Sequence, residues 1–480
     1  MAAAVSRAEA ARLALDAESM RRLGHAVIDL LVDHIAALGT GSLVATADGS
    51  DPGLGIADLP FPATPQDPMA ALALVRERVL ADVIPVSDPR FLAYIPGPGN
   101  FVGAMAEAIS AGINIFAGTA KHAQGPTEVE LATIRWLAGL AGLPEQAGGL
   151  FVSGGSMANL TALALARHRR LGEDMTGARV YCSSETHSSV DRALRVLGFR
   201  SDQLVRLATD ASLRLPPSHL RERIAVDRAA GRRPFLIVAN AGTTSTGTID
   251  PLGTLADIAA EEDLWLHVDA AYGGAALLAE EAWALLAGIE RADSVTMDPH
   301  KWFFQPFDCG ALLVRDMHWL HDAFHILPAY LRDSAPRPGR INYRDHGIEL
   351  TRGLRALKLW LSLQTFGTDA FGAAVRHGMR LAERAEAGLR ARPYWRIVSP
   401  ASLAMLAFCH VPPDADPAEL DAHQLAIAET VLARDQTFLS TTEIAGRRTL
   451  RLCTINPRLD AGDIDGIIAA LDAAARDLKA

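Results

Sequence analysis

The central part of the chain alternates short apolar runs with stretches of helical periodicity, and this alternation limits the possible folds most strongly. Five of the runs indicate strands, at residues 150–152, 178–182, 235–239, 264–268 and 294–297. Strands that are apolar throughout are typical of a parallel sheet with helices on both faces. The pattern therefore predicts an α/β fold with a mostly parallel central sheet.

Differences in composition along the chain predict three units. Residues 1–98 form an N-terminal helical and wrapping segment, because a helical pattern at 20–35 precedes a stretch at 39–68 that is rich in Gly, Pro and Asp. Residues 99–371 form the predicted large domain. Residues 372–480 form a smaller C-terminal α+β domain, with helices at 373–390 and 418–434 and strands at 404–410 and 448–453. We expect the wrapping segment to pack on another part of the molecule or on a second subunit.

Composition and charge argue against several classes of protein. The 480 residues include 56 acidic and 46 basic side chains, which give a formal net charge of -10. We therefore expect neither nucleic acid nor an anionic membrane as a partner. The longest uncharged run, at 146–166, is interrupted by Gly, Ser and Asn and does not indicate a membrane span. The four cysteines lack the spacing of a metal site, and the first 20 residues lack a secretory signal, so we expect a cytoplasmic protein without a metal.

Ligands of parallel sheets bind beyond the carboxyl ends of the strands, so the residues that follow each run are the candidate site. The first run is followed by Ser153-Gly154-Gly155-Ser156 and then a helix, which could hold a phosphate at its N-terminus or simply be capped by Ser156. His187 follows the second run, where a capping role is as plausible as a catalytic one. Thr243 and Thr244 follow the third run and could line a ligand or form a turn.

The last two runs end in residues with more specific chemistry. Asp269 ends a strongly apolar strand, so its carboxylate needs a cationic or donor partner, either structural or functional. Lys301 stands in Asp298-Pro-His-Lys-Trp, and it is one of only four lysines among 46 basic residues. Lysine is the side chain whose amine forms Schiff bases. A lysine, an acid for a pyridinium nitrogen and a phosphate cradle are the parts that pyridoxal 5'-phosphate (PLP) requires.

With these residues in place, the sequence resembles the group II PLP-dependent amino-acid decarboxylases, and most closely the aromatic-L-amino-acid decarboxylase branch. The most specific motifs are His-Val-Asp-Ala-Ala-Tyr at 267–272 and Pro-His-Lys-Trp at 299–302. The similarity covers nearly the whole chain, and further matches lie at residues 21–24, 91–94, 126–130, 153–159, 187–190, 242–244 and 352–360.

The resemblance implies a PLP-dependent transferase fold of type I, like aspartate aminotransferase, and a homodimer with the site at the subunit interface. Lys301 would bind the aldehyde of the cofactor, Asp269 its ring nitrogen, and His187 and Ala271 the two faces of the ring. The remaining cofactor-binding residues implied are Gly155, Ser156 and His300 at the phosphate and Thr244 near the ring oxygen. The implied catalytic residues are Lys301, His187, Asp269 and Tyr343.

The resemblance also implies residues for the substrate. Tyr94 and Pro96 would line its side chain, and Tyr343 would stand on a mobile loop that delivers the proton replacing CO2. The expected reaction is decarboxylation of an L-amino acid, aromatic by the resemblance (tyrosine, tryptophan, phenylalanine or DOPA), to the amine. Alternatives are an acidic or other non-aromatic substrate, for which Lys121 and His122 are the nearest cations, an aromatic aldehyde synthase, and a non-catalytic scaffold.

Four departures from the animal aromatic decarboxylases affect these expectations, and the first is Val86, which stands where the animal enzymes carry a Trp. Gly97 and Gly118 stand where the animal enzymes carry larger side chains, which leaves either extra space or a repacked neighbourhood. Asp298 stands where an Asn faces the phosphate, and a carboxylate there would repel that phosphate unless it is compensated.

Overall fold

A computed structural model of the chain describes residues 13–44, 55–326, 340–413 and 415–478. The central sheet has seven strands in the order β1-β7-β6-β5-β4-β2-β3. Their bounds are Gly148–Val152 (β1), Ala178–Ser183 (β2), Leu204–Leu207 (β3), Arg233–Asn240 (β4), Trp265–Asp269 (β5), Ser294–Met297 (β6) and Gly310–Val314 (β7). Strands β2 to β6 are mutually parallel, and β7 runs antiparallel to both β6 and β1. The expected mostly parallel sheet is therefore confirmed.

Helices cover the sheet because its strands are apolar on both faces. The strands β1, β2, β5, β6 and β7 are buried along their whole length. The helices of this part are Phe101–Gly112 (α3), Gln124–Leu140 (α4), Gly155–Leu171 (α5), Ser189–Val196 (α6), Pro217–Ala229 (α7), Leu252–Glu261 (α8), Trp283–Leu286 (α9), His318–Phe324 (α10) and Ala356–Phe366 (α11). Two large apolar clusters, one on each face of the sheet, form its core.

The C-terminal part has its own sheet and core. Its four antiparallel strands lie in the order β10-β11-β9-β8, with bounds Trp395–Ser402 (β8), Met405–His410 (β9), Ser440–Ile444 (β10) and Arg447–Cys453 (β11). The helices Thr368–Arg390 (α12), Leu420–Ala433 (α13) and Ala461–Asp477 (α14) pack with it around a third apolar cluster. Because α12 runs through the boundary predicted at residue 371, the two parts share a continuous helix and the division into domains stays a prediction.

The N-terminal part consists of Ala17–Ala37 (α1), Pro68–Leu74 (α2) and connecting segments, and neither helix buries a residue. Leu92, which follows them, packs into the C-terminal cluster, and Phe91 pairs with Phe438 in an isolated bridge. None of the helices in the described ranges is both long and apolar enough to cross a membrane.

Candidate active site

A cavity of about 320 Å³ opens at the edge of the sheet where the parallel strands have their carboxyl ends. The turns after β1, β2, β4, β5 and β6 all contribute residues to it. Eight predicted residues line this one cavity: Gly155, Ser156, His187, Thr244, Asp269, Ala271, His300 and Lys301.

Lys301 lies in the turn that follows β6, and its amine is held by a neighbouring carboxylate. Lys301 Nζ is 2.9 Å from Asp298 Oδ2. Asp298 is buried, and its other oxygen, Oδ1, has no hydrogen-bond partner among the described residues. A buried carboxylate oxygen without a donor is costly, so this end of the cavity has an unmet requirement for a donor.

Asp269 is the last residue of β5, and two donors fix its carboxylate. Asn159 Nδ2 donates to Asp269 Oδ2 at 2.8 Å, and the backbone N–H of Ala271 donates to Oδ1 at 3.2 Å. Only 8% of Asp269 is exposed. The carboxylate is therefore held at the wall of the cavity, where it can face a positively charged nitrogen.

His187 follows β2 and is fixed by Ser189. Its Nδ1 is 2.9 Å from Ser189 Oγ and accepts the backbone N–H of Ser189 at 3.2 Å. Burial lowers the pKa of His187, although the charge of Asp269 acts in the opposite direction. The ring is therefore neutral at neutral pH, as a ring that lies flat on another aromatic group requires.

The N-terminus of α5 borders the cavity next to Asp298. Its first residues, Gly155 and Ser156, present backbone N–H groups that have no acceptor within the helix. A Cβ on Gly155 would lie 2.7 Å from Asp298 Oδ2, and one on Gly154 would lie 3.0 Å from His300 Cε1. Both glycines therefore keep the backbone close to the cavity. Burial lowers the pKa of His300, so its ring is also neutral.

These residues fit PLP. The lysine amine suits an aldehyde, the Asp269 carboxylate suits a pyridinium nitrogen, and the N-terminus of α5 suits a phosphate. The unpartnered Asp298 Oδ1 faces the turn at Gly310, where a Cβ would lie 2.8 Å from it. Asp298 itself forms its ion pair with Lys301 rather than with a donor of α5.

Tyr94 and Pro96 do not line the cavity of this chain. Tyr94 is 58% exposed and its ring packs edge-on against Phe438, while Pro96 is buried. Lys121 and His122 are exposed and are likewise not part of the cavity lining. Within one chain, the predicted substrate-side residues thus remain separate from the cofactor-side residues.

The loop position predicted for Tyr343 is wrong. Tyr343 is fully buried, in a short helical turn at Tyr343–Asp345, and the guanidinium of Arg352 lies 5.1 Å from the centre of its ring. Burial raises the pKa of its hydroxyl well above the usual value for tyrosine. A side chain enclosed in this way cannot reach the cavity and is a poor proton donor. The predicted loop spans residues 336–343, and its first half, 336–339, lies outside the described part of the chain.

Gly97 and Gly118 do not leave extra space. A Cβ on Gly97 would lie 2.6 Å from the ring of Phe307, and one on Gly118 would lie 2.5 Å from the ring of Phe116. Neighbouring aromatic rings therefore already occupy the space that larger side chains fill in the animal enzymes.

Sequence reasoning gave no role to several residues of the cavity, among them Asn159, Glu185, Ser189 and Asn240. Asn159 and Ser189 belong to the matched motifs, but nothing in their spacing indicates which side chains they meet. Glu185 stands two residues before His187, and burial raises the pKa of its carboxyl. Asn240 ends β4 and donates to Asp250, Ser183 and Thr186, so it ties the ends of two strands together.

Comparison with known proteins agrees with this geometry. Residues 56–411 match the family model described as the pyridoxal-dependent decarboxylase conserved domain. The chain is 42% identical over 469 residues to an aromatic-L-amino-acid decarboxylase of Bacillus atrophaeus, an alignment covering 97% of this chain and 98% of the relative. The chain belongs to the pyridoxal-dependent decarboxylase family.

Other members of the family show the range of its chemistry. This decarboxylase is 32% identical over 460 residues to a phenylacetaldehyde synthase of Arabidopsis thaliana, with 93% of each chain covered. Its fold matches the crystal structure of Oryza sativa TDC with PLP and tryptamine at a TM-score of 0.90 and 26% identity, over 96% of this chain and 99% of that chain. The predicted type I fold, the PLP cofactor and the carboxy-lyase class are confirmed.

Proposed function

We propose that this decarboxylase converts an aromatic L-amino acid into its amine and CO2. The observation that carries the proposal is the single cavity in which Lys301, Asp269 and His187 meet. The aromatic substrate class is supported by the 42% identity, over nearly the full length, to the aromatic-L-amino-acid decarboxylase of Bacillus atrophaeus.

Each residue of the cavity has a role that follows from its position. PLP, when bound, supplies the electron sink for the breaking carboxylate bond. Lys301 provides the amine that holds the aldehyde, and its partner Asp298 holds that amine in the cavity. Asp269 would balance the positive charge of the ring nitrogen. The N-terminus of α5 and His300 would hold the phosphate.

Neutral His187 would pack on the ring of bound PLP and could donate from Nε2, because its Nδ1 accepts the backbone N–H of Ser189. Its Nε2–H could therefore donate a hydrogen bond to the substrate carboxylate on that face. Tyr94 and Pro96, which were expected to line the substrate side chain, lie outside the lining of this cavity. The lining therefore does not include the residues that would exclude water from the substrate.

We infer that the active form is a homodimer in the cytoplasm. Helix α1 buries no residue within one chain, and its apolar residues Met20 and Val32 are 54% and 46% exposed. A second copy that covers this helix would remove apolar surface from water. The cytoplasm suits the four cysteines, all of which are free.

A substrate panel tests the proposal. Purified, PLP-loaded enzyme is incubated with tyrosine, tryptophan, phenylalanine, DOPA, glutamate and aspartate, and CO2, amine, aldehyde, ammonia and peroxide are measured. We expect equal amounts of CO2 and amine from at least one aromatic substrate. Turnover of glutamate or aspartate alone would refute the aromatic assignment, and aldehyde with peroxide would identify an aldehyde synthase like the Arabidopsis thaliana relative.

Borohydride reduction followed by peptide mapping tests the lysine independently of the substrate. We expect a pyridoxyl label on Lys301 that is lost in Lys301→Ala and retained in the matched control Lys121→Ala, since Lys121 is exposed and outside the cavity. A label elsewhere, or none, would support the non-catalytic scaffold.

A further inference from the structure

A buried chain of hydrogen bonds lies behind Asp269. Trp265 Nε1 donates to Ser294 Oγ at 2.9 Å, and Ser294 Oγ is 2.8 Å from His267 Nδ1. His267 Nε2 is 3.0 Å from Asn159 Oδ1, and Asn159 Nδ2 donates to Asp269 Oδ2 at 2.8 Å. Trp265, Ser294, His267 and Asn159 are each at most 2% exposed.

The direction of every hydrogen bond in the series from Trp265 to Asp269 is fixed. The indole N–H can only donate, and the carboxylate of Asp269 can only accept. Burial lowers the pKa of His267 to about 4, so its ring is neutral and carries one proton. Because the amide oxygen of Asn159 must accept, that proton is on His267 Nε2, and Ser294 donates to Nδ1. All donors therefore point toward Asp269.

Asn159 also reaches the second catalytic side chain. Its Nδ2 donates to Ser189 Oγ at 2.9 Å, and Ser189 Oγ is 2.9 Å from His187 Nδ1. Since Ser189 accepts from Asn159, its own hydroxyl proton points to His187 Nδ1. The single proton of neutral His187 is then on Nε2.

The amide of Asn159 is oriented from its other side as well. Thr296 Oγ1 donates to Asn159 Oδ1 at 2.7 Å, so the amide oxygen accepts two protons while the amide nitrogen donates two. Every hydrogen-bonding position of the amide is in use, and rotation of the amide by half a turn would reverse all four bonds.

We propose that Asn159 is a positioning residue that couples the two sides of the cofactor site, holding the Asp269 carboxylate toward the ring nitrogen and keeping the His187 proton on Nε2. The effect of Asn159 on catalysis rests on the proposed function, whereas its effect on PLP binding does not. Asn159 contacts Asp269 directly and reaches His187 through Ser189.

The test compares Asn159→Leu, which has a similar size and no donor, with Thr161→Val. Thr161 is buried on the same helix and does not line the cavity, and its hydroxyl donates to the carbonyl of Met157. For Asn159→Leu we expect roughly 10- to 100-fold weaker PLP binding, a changed pH midpoint of the bound cofactor's absorbance, and a kcat lowered more than KM. Thr161→Val should match the wild type in all three measurements.

Two further variants keep the test decisive. Asn159→Ala serves if the leucine variant fails to fold, with the same expected result. Ser189→Ala removes only the side of the network that reaches His187, so it should lower kcat several-fold and leave PLP affinity unchanged. Wild-type affinity, absorbance and kcat in either Asn159 variant would overturn the proposal. If the wild-type enzyme turns over no amino acid, the proposed function fails, while the affinity and absorbance measurements still decide the role of Asn159.

Discussion

At the scale of single residues, the burial of Tyr343 decides whether its hydroxyl can supply a proton. The hydroxyl of Tyr343 is buried, with no hydrogen-bond partner in the described ranges, so Tyr343→Phe should leave kcat unchanged and stabilise the fold by up to about 1 kcal/mol. Product analysis and thermal unfolding of Tyr343→Phe check this, and a loss of amine formation of about 10²-fold or more would restore the role that the resemblance gives to Tyr343.

The charge of Asp298 acts at the same scale. This buried carboxylate lies beside Gly155 at the phosphate end of the cavity, so it opposes an anion there. Asp298→Asn should therefore bind PLP about tenfold more tightly, while binding pyridoxal, which lacks the phosphate, as the wild type does. Equilibrium dialysis at low and high salt measures both affinities. Equal gains for the two ligands would show that the phosphate is not involved.

At the scale of elements, one buried ion pair joins α4, β1 and the segment before α11. Arg352 donates to both oxygens of Glu130, at 2.9 and 2.7 Å, and Glu130 in turn accepts the backbone N–H of Phe151 at 2.8 Å. Arg352 also donates to the carbonyl of Phe151, so the pair clamps β1 just before the Gly-rich turn.

Removal of one partner should cost more than removal of both charges. Arg352→Met leaves the Glu130 carboxylate buried and unpaired and should lower the free energy of unfolding by about 3–5 kcal/mol. The double variant Glu130→Gln, Arg352→Met keeps an acceptor for Phe151 and should be more stable than Arg352→Met alone. Urea denaturation measures both, and a double variant that is less stable than the single one would contradict the clamp.

At the scale of the whole molecule, stability should fall in acid. Burial lowers the pKa of His267 and of His346 to about 4, from 6.5 for an unperturbed histidine. Below about pH 6.5 these two histidines bind protons in the unfolded chain but not in the folded chain. The free energy of unfolding therefore decreases as the pH falls toward 4. His346→Gln should reduce the slope of unfolding free energy against pH between 7 and 5. An unchanged slope in urea titrations would show that His346 is not among the groups responsible.

The proposed dimer is also a property of the whole molecule. Val32 of α1 and Val79, which follows α2, are 46% and 45% exposed within one chain. Val32→Asp with Val79→Asp should weaken the dimer at least tenfold in sedimentation velocity experiments, because two charges replace apolar contacts. The control is Val226→Asp on α7, where 56% of the side chain is exposed and no contact is expected. Equal dissociation in both proteins, or a monomeric wild type, would refute the dimer.

The sequence predicted seven of the eleven strands in the described residues, five of them in the central sheet, and it missed the other four for physical reasons. Strand β8 contains Pro400, which usually interrupts a sheet but is tolerated here because β8 is an edge strand. Strand β3 is also an edge strand and is only partly buried, while β10 alternates too weakly to stand out. Strand β7 follows β6 after the segment 298–309 that carries Lys301, and it runs antiparallel to β6.

The sequence by itself determined the residues at the carboxyl ends of the strands, because an apolar strand followed by a polar residue places that residue at the ligand-binding edge of a parallel sheet. Lys301 and Asp269 were identified in this way. Only the tertiary structure decided that Asn159 meets Asp269, 110 positions further along the chain, and that Tyr343 lies beneath Arg352. Those contacts depend on how helices pack on the sheet, and the spacing of residues along a chain carries no record of that packing.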